Sequence, residues 1–254
     1  RWVSCRTVRE TATLTAGPGV TPARPRRPVA RVLLTASAAI AAGLAAIPLV
    51  YLVVRVAGAD PGTVWEAIAR PRTVQLAINT VGLTVAVSVA CHDLGAGPAG
   101  QLGATRLPGR RTWTVISSLP LAVPSYVAAF GFVALTPLRG FWGAFVVLTV
   151  CNAPLVMLPT LAALRLANPA HEDVARTLGR SRPRAFLEAT WPQVRPAALA
   201  GVLLVALYVL SDFGAVAIMR FEAFTWAIHS AYSSQFDRTL AAALSTVLAA
   251  MGIA

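Results

Sequence analysis

Residues 171–196 read HEDVARTLGRSRPRAFLEATWPQVRP, and the reading of this stretch decides the fold. It is the longest polar interval between two apolar runs, and it carries Arg176, Arg180, Arg182, Arg184 and Arg195 together with Glu172, Asp173 and Glu188. The runs on either side are long enough to be membrane helices, which puts the stretch outside the bilayer. Its own pattern is helix, break, helix. His171 to Leu178 form two turns with Val174 and Leu178 four residues apart on one face. Gly179 ends that helix in a left-handed conformation. Arg184 to Thr190 form a second short helix with Ala185, Phe186 and Ala189 as its apolar side, and Pro192 and Pro196 stop it and start a new element. A small apolar face ringed by arginines on a rigid bent loop is a docking knob.

Composition agrees with a membrane setting. Of 254 residues 56% are hydrophobic and 13% charged, with a mean hydropathy of +0.66, whereas a soluble domain averages about 25% charged residues. The net charge is +12 and all 22 basic residues are arginine. These arginines cluster between apolar spans and do not interleave with aromatics along a groove, which argues against a nucleic-acid partner. Cys5, Cys91 and Cys151 lack disulfide or metal-ligand spacing, and His92, His171 and His229 are equally scattered, so no metal site is expected. Asp93 beside His92 has no second ligand at helical spacing and reads as a solvated helix end. The Gly95–Gly103 run lacks the Lys-Ser/Thr pair of a nucleotide loop. No catalytic constellation and no cofactor follow from these residues.

Working outward, residues 1–31 are polar and proline-rich, with Arg24, Arg26, Arg27 and Arg31, and read as a disordered basic tail. Val32–Val54 is a first span, and its 23 residues would rise about 34 Å against a bilayer core of about 30 Å. Arg55–Arg72 reads as a mixed-charge loop. Val74–Ala90 is a short second span of 17 residues, followed by CHDLGAGPAGQLGATR, with four glycines and a proline where a helix should finish. Arg106–Arg111 is a basic turn. Trp113–Leu135 is a third span holding Pro120 and Pro124, a pair that bends a helix and frees carbonyls. Phe141–Leu164 is a fourth span with Asn152, Pro154 and Pro159, and Ala197–Ile218 a fifth. Met219–Arg238 reads as a polar-aromatic loop, and Thr239–Ala254 as the start of a sixth span. A chain that begins at Arg1 and stops inside a span reads as a fragment. The tail, the Arg106–Arg111 turn and the 165–195 loop hold sixteen arginines and the opposite loops six, which orients the tail and docking loop to the cytoplasm.

The docking stretch resembles the EAA loop of ABC-transporter permeases, which reads Glu-Ala-Ala, three residues, Gly, nine residues, Ile, one residue, Leu-Pro. Asp173-Val174-Ala175 stand at the first three places, Gly179 at the glycine, Ala189 at the Ile and Trp191-Pro192 at the Leu-Pro. Identity holds at Ala175, Gly179 and Pro192, and Glu172 supplies a carboxylate one residue early. LPGRRTW (107–113), LPLAVPSYV (119–127), GFWGAFVVLT (140–149), YVLSDFGAV (208–216) and FEAFTWAIHSAYSSQFDR (221–238) resemble the ferric-iron and thiamine branch of that family. The segment 91–105 departs from it, since members continue the second helix there with apolar sequence.

The resemblance implies an all-α polytopic bundle of about six transmembrane helices in a bacterial cytoplasmic membrane, with residues 32–254 as the permease domain and the first half of a fused pair. It implies a coupling loop, with Glu172, Asp173, Ala175, Gly179 and Pro192, that docks on a cytoplasmic ABC ATPase dimer. It also implies an external solute-binding protein, a second permease half, fused or separate, and a lipid surround. The function expected is an importer working by alternating access, with ferric iron as the first-choice solute and thiamine behind it; an ion-gradient-driven secondary transporter or channel is the alternative. That alternative predicts intramembrane charge pairs and inverted repeats, and neither is evident. Asp212 is the intramembrane residue most in need of a role. With Tyr208 and Ser211 it falls on one helical face, a polar lining of the path or a helix–helix hydrogen-bonding site. Asn79 and Asn152 admit the same two readings, and Pro120 and Pro124, with Ser125 and Tyr126, a kinked gate or a structural bend.

Overall fold

A backbone that crosses hydrocarbon must satisfy its own N–H and C=O groups, and a helix does this within one segment. The computed structural model describes residues 28–58, 61–104, 109–233 and 238–253, and the regular structure among them is helical. The chain divides into two units, Arg1–Leu49 and Val50–Ala254. The described residues of the first open helix α1 (Pro28–Ala57), whose apolar span is Val32–Arg55. Helix therefore begins inside the stretch expected to be tail; the rest of that tail, residues 1–27, lies outside the described residues.

The second unit continues with α2 (Pro61–Ala69), α3 (Pro71–Ala104) and α4 (Arg110–Ser118), the last followed by a 3₁₀ turn at Leu119–Ala122. Then come α5 (Ser125–Leu135), α6 (Gly140–Leu166), α7 (Pro169–Thr177) and α8 (Arg182–Ala185), with a π turn at Phe186–Thr190. α9 (Trp191–Ser211), α10 (Gly214–Ile218), α11 (Phe224–Ser233) and α12 (Arg238–Ile253) complete it. Among the described residues, four helices are long and apolar enough to cross a membrane: Val32–Arg55, Pro71–Gly97, Gly140–Leu166 and Arg182–Ser211. A bent pair, Arg111–Ala122 with Ser125–Leu135, makes a fifth if taken as one span, and Leu240–Ile253 is a shorter apolar helix. The fold is an all-α polytopic membrane bundle.

The core of the second unit is built by α3, α6 and α9. Leu83, Val87 and Cys91 meet Leu148, Cys151 and Val156, with Val205 and Val209 closing the cluster. α3 and α6 run parallel, since Cys91 lies against Thr149 and Gly95 against Ala153 and Val156. Small residues set the spacing, as is usual where lipid supplies no hydrophobic drive between helices. A Cβ on Gly95 would stand 2.8 Å from Val156 Cβ, and one on Gly201 2.7 Å from Val156 Cα and 2.8 Å from the Leu155 carbonyl oxygen. That carbonyl lacks its ordinary i+4 donor because Pro159 occupies the position, and Gly201 is the residue able to approach it.

Several boundaries differ from the sequence expectation. The second span is not a 17-residue helix; α3 runs 34 residues, straight through the glycine-rich segment. Each interior glycine costs about 1 kcal/mol of helix propensity, but Gly95 allows contact with α6, and tertiary packing overrides the local preference. The third span is broken, not merely bent: its two parts meet at 93°. Pro124, extended at φ −56° and ψ 137°, starts α5 afresh. The fifth span ends at Ser211 instead of running to Ile218. The 55–72 and 219–238 loops contain α2 and α11. Pro192 and Pro196 do not stop a helix either, since Arg182–Ser211 is one 30-residue apolar helix. The Trp191 N–H reaches back five residues to the Phe186 carbonyl, and this wide turn lets the helix pass Pro192. Residues 106–108 of the expected basic turn lie outside the described residues.

Arg220 is the one non-glycine residue with positive φ (55°) among those described. It sits one position past the C-cap of α10, where its N–H donates to the Ala217 carbonyl (3.1 Å) and that of Phe221 to the Val216 carbonyl (3.0 Å). Glycine favours this position. Arg220→Gly is expected to raise stability by about 0.5–1 kcal/mol, the left-handed strain relieved less the entropy of glycine. A higher thermal midpoint of the purified protein in detergent is the check; a lower one would mean the guanidinium holds a contact that outweighs the strain.

Candidate functional site

The loop between α6 and α9 is a folded module. Asn168 caps α7: its Oδ1 accepts from the Ala170 N–H at 3.0 Å, and Pro169 follows at the first helical position. α7 ends at Thr177 with Leu178 as its C-cap, and Gly179 adopts φ +84°. Its N–H donates to the Arg176 carbonyl (3.0 Å) and that of Arg180 to the Ala175 carbonyl (3.2 Å), a paired closure that satisfies two of the last carbonyls of the helix. No atom lies within 4 Å of where a Gly179 Cβ would be, so the glycine answers a conformational need and not a steric one.

Side chains then tie α7 to the helix that follows. Thr190 Oγ1 donates to Glu172 Oε2 at 3.1 Å. Arg180 Nε pairs with Glu188 Oε2 at 3.2 Å, both half exposed. The Asn168 N–H donates to Gln193 Oε1 at 3.3 Å, and Gln193 Nε2 to the Ala189 carbonyl at 2.8 Å. Ala185, Thr190 and Val194 are buried beneath the module. Val174, Leu178 and Leu187 are exposed on it, Leu178 at 78%. Asp173 is exposed, Ala175 half-buried, and Pro192 exposed at the start of α9. The module is thus a braced bend carrying an uncovered apolar face. α7 joins α6 through residues 167–168 and α9 through the bonded segment 178–190. The glutamate–threonine and asparagine–glutamine links have no periodic signature; only the Asn-Pro pair at 168–169 announces the cap.

At the other end of α9 lies a buried carboxylate. Asp212 is 8% exposed and follows the last residue of α9. Its Oδ2 accepts from Ser125 Oγ, its Oδ1 from the Ala215 N–H at 2.9 Å, and its backbone carbonyl from Thr225 Oγ1 at 2.9 Å. Asp212 therefore caps α10 and joins it to the first residue of α5, linking the two interrupted helices. Tyr208 and Ser211 do not share this face: both are exposed, and Ser211 Oγ donates back to the Tyr208 carbonyl. The helical spacing that grouped the three residues lapses because the helix ends between Ser211 and Asp212.

The remaining candidates stand apart from one another. Asn79 Nδ2 donates to the Glu222 carbonyl at 2.9 Å, and Asn152 Nδ2 to the Leu148 carbonyl of its own helix at 2.8 Å. Pro120 lies in the 3₁₀ turn and Pro124 at the cap of α5, so together they make the break that presents Ser125 to Asp212. His92 pairs with Asp93 at 3.0 Å and meets Trp191 edge-on. Among the described residues, no three His, Cys, Asp or Glu side chains come together as a metal site.

A multi-pass helical bundle with a braced, solvent-facing bend between two of its core helices is the architecture of a membrane permease chain. Residues 97–254 match the family of binding-protein-dependent transport system inner membrane components, and the chain belongs to that family of ABC-transporter permeases. It is 35% identical over 208 residues to the Fe(3+)-transport system permease protein FbpB 2 of Haemophilus influenzae, a match covering 82% of this chain and 41% of that protein. It is 28% identical over 186 residues to the sulfate transport system permease protein CysT of Escherichia coli, covering 67% of each. The chain therefore spans less than half of the ferric-iron relative. Its fold is similar to that of a bacterial ABC transporter involved in the import of the acidic polysaccharide alginate, with a TM-score of 0.67 over 89% of this chain and 93% of that one at 13% identity.

Proposed function

We propose that this chain is the permease half of an ATP-driven importer, with the 168–193 module as its coupling element. The carrying observation is the module itself: a bend locked by Gly179, Glu172–Thr190 and Asn168–Gln193 that leaves Val174, Leu178 and Leu187 uncovered. In this reading the module faces the cytoplasm, as the arginine distribution favours, and seats on an ATPase dimer that supplies nucleotide binding and hydrolysis. Glu172, Asp173, Ala175, Gly179 and Pro192 form or frame the docking surface. Its displacement rocks α6 and α9, and the path opens where the spans are interrupted, at Pro120, Pro124, Ser125 and Asp212. A solute-binding protein delivers cargo from the other side, and a second permease half, fused or separate, completes the path.

Ferric iron is the solute this reading favours, on the strength of the more similar relative; the sulfate permeases support an oxyanion as the second reading. Gly179→Val tests the coupling role. The substitution forces a β-branched residue to φ +84°, at a cost of about 1–2 kcal/mol, while leaving the bundle intact because nothing crowds the site. Purified with the ATPase in lipid, the variant is expected to show about ten-fold weaker association and a similar loss of solute-stimulated hydrolysis, one factor of ten per 1.4 kcal/mol. Unchanged coupled hydrolysis would remove the docking role. Uptake that survives ATP depletion but not an ionophore would replace the importer with a gradient-driven carrier. Parallel uptake of radiolabelled ferric iron and sulfate assigns the solute.

A further inference from the structure

At the end of the bundle opposite the 168–193 module lies a cavity of about 280 Å³ among the start of α3, α11 and α12. The placement follows from topology, since α3 and α6 run parallel and the module hangs from the far end of α6. Arg70 and Arg72, on either side of the first residue of α3, stand at the cavity together with Ser230. Trp226, Leu240 and Leu244 supply apolar wall, and no carboxylate lines it among the described residues. Arg70 makes no ion pair among the described residues. Among the described residues Arg72 pairs with Glu222, at 3.4 Å with both side chains more than half exposed, a pairing worth little in water. The apolar span of α3 begins at Pro71, so the two arginines stand at the end of a membrane-length helix, the place where a headgroup layer is expected.

We propose that this cavity binds the phosphodiester of a membrane phospholipid. The two guanidiniums take phosphate oxygens, which their planar forks suit better than an ammonium would. Trp226, Leu240 and Leu244 take the first methylenes of an acyl chain, and tryptophan is the residue enriched at that depth. The volume is near the lower bound for ligand pockets, ~300 Å³, so it houses a headgroup and the root of a chain and leaves the tails in the bilayer. A free oxyanion satisfies the arginines and leaves the apolar wall unused.

The test is native mass spectrometry of the full-length membrane protein extracted from its own membrane and washed stepwise in mild detergent. Wild type is expected to retain phospholipid, and Arg70→Gln/Arg72→Gln to hold about a hundred-fold less, the loss of roughly two charge-assisted hydrogen bonds. Ala231→Leu, which fills the buried lining while keeping both arginines, is expected to lose it equally. Arg139→Gln/Arg220→Gln, two arginines outside the cavity lining, is expected to retain it. If the double variant fails to fold, Arg70→Gln alone carries the test, because Arg70 makes no ion pair among the described residues. Absence of retained lipid in wild type, or equal loss from the Arg139/Arg220 control, overturns the proposal. So does a delipidated wild type whose thermal midpoint rises as much with inorganic phosphate or sulfate as with added phospholipid, since the cavity then takes a free oxyanion.

Discussion

Gly201→Val is expected to abolish most of the folded protein, and Gly95→Val to come close to it. A Cβ at 201 would lie 2.7 Å from the Cα of Val156 and 2.8 Å from the Leu155 carbonyl oxygen, both backbone atoms of α6 that no rotamer change can move. At 95 it would lie 2.8 Å from Val156 Cβ and 2.9 Å from the Ala153 carbonyl oxygen. The two glycines press on the same turn of α6 from α9 and α3, so separating one pair of helices only compresses another. Overpacking in a relaxed core costs about 1–3 kcal/mol; with backbone atoms on one side of the clash, Gly201→Val should exceed ~3 kcal/mol. Gly82→Ala is the matched control, because nothing lies within 4 Å of its Cβ position and alanine gains about 0.8–1 kcal/mol of helix propensity. The yield of monodisperse protein and its thermal midpoint in detergent measure both. A Gly201→Val protein as stable as wild type would show that α6 and α9 are not in backbone contact.

The second large effect is expected from Asp212→Ala, at about 3 kcal/mol. Removing the carboxylate leaves the Ser125 hydroxyl and the Ala215 N–H without their acceptor at a site only 8% exposed. Buried donors left in that condition cost about 1–3 kcal/mol each, with the larger values for bonds to charged groups. Asp212→Asn keeps an oxygen for Ala215 and should lose only about 1 kcal/mol, the difference between a charged and a neutral acceptor. A double-mutant cycle of Asp212→Ala with Ser125→Ala isolates the link between the two broken helices. Coupling near 1.5 kcal/mol is expected for a charge-assisted bond, and coupling below about 0.5 kcal/mol, the scatter for independent sites, would mean that the carboxylate only caps α10.

The module between α6 and α9 was largely legible because its signals are local. Gly179 at a helix end, arginines that cannot enter hydrocarbon and prolines at fixed offsets all act within a few residues of where they stand. The error there concerned Pro192, whose ordinary effect is to end a helix; the π turn at Phe186–Thr190 accommodates it, and that turn has no composition of its own. Asp212 was legible as a residue needing a partner, since a carboxylate in an apolar run has few places to go. Its partner was not, because Ser125 lies 87 positions away and meets it only when two helices break at the same depth. The glycine-rich segment after Cys91 misled for the same reason: helix propensity argues for an end, and the contact of Gly95 with Val156 holds the helix on.

By itself the amino-acid sequence determined that this is a membrane bundle, roughly where its apolar stretches fall, and that a polar bend lies between two of them. Hydrocarbon length, charge exclusion and the backbone limits of glycine and proline are properties of short stretches, so they can be read without the fold. Only the tertiary structure decided where spans break, which glycines are obligatory and what Asp212 holds. Each of those depends on whether a distant atom arrives to satisfy a buried donor, or to crowd a missing Cβ, and no local stretch carries that information.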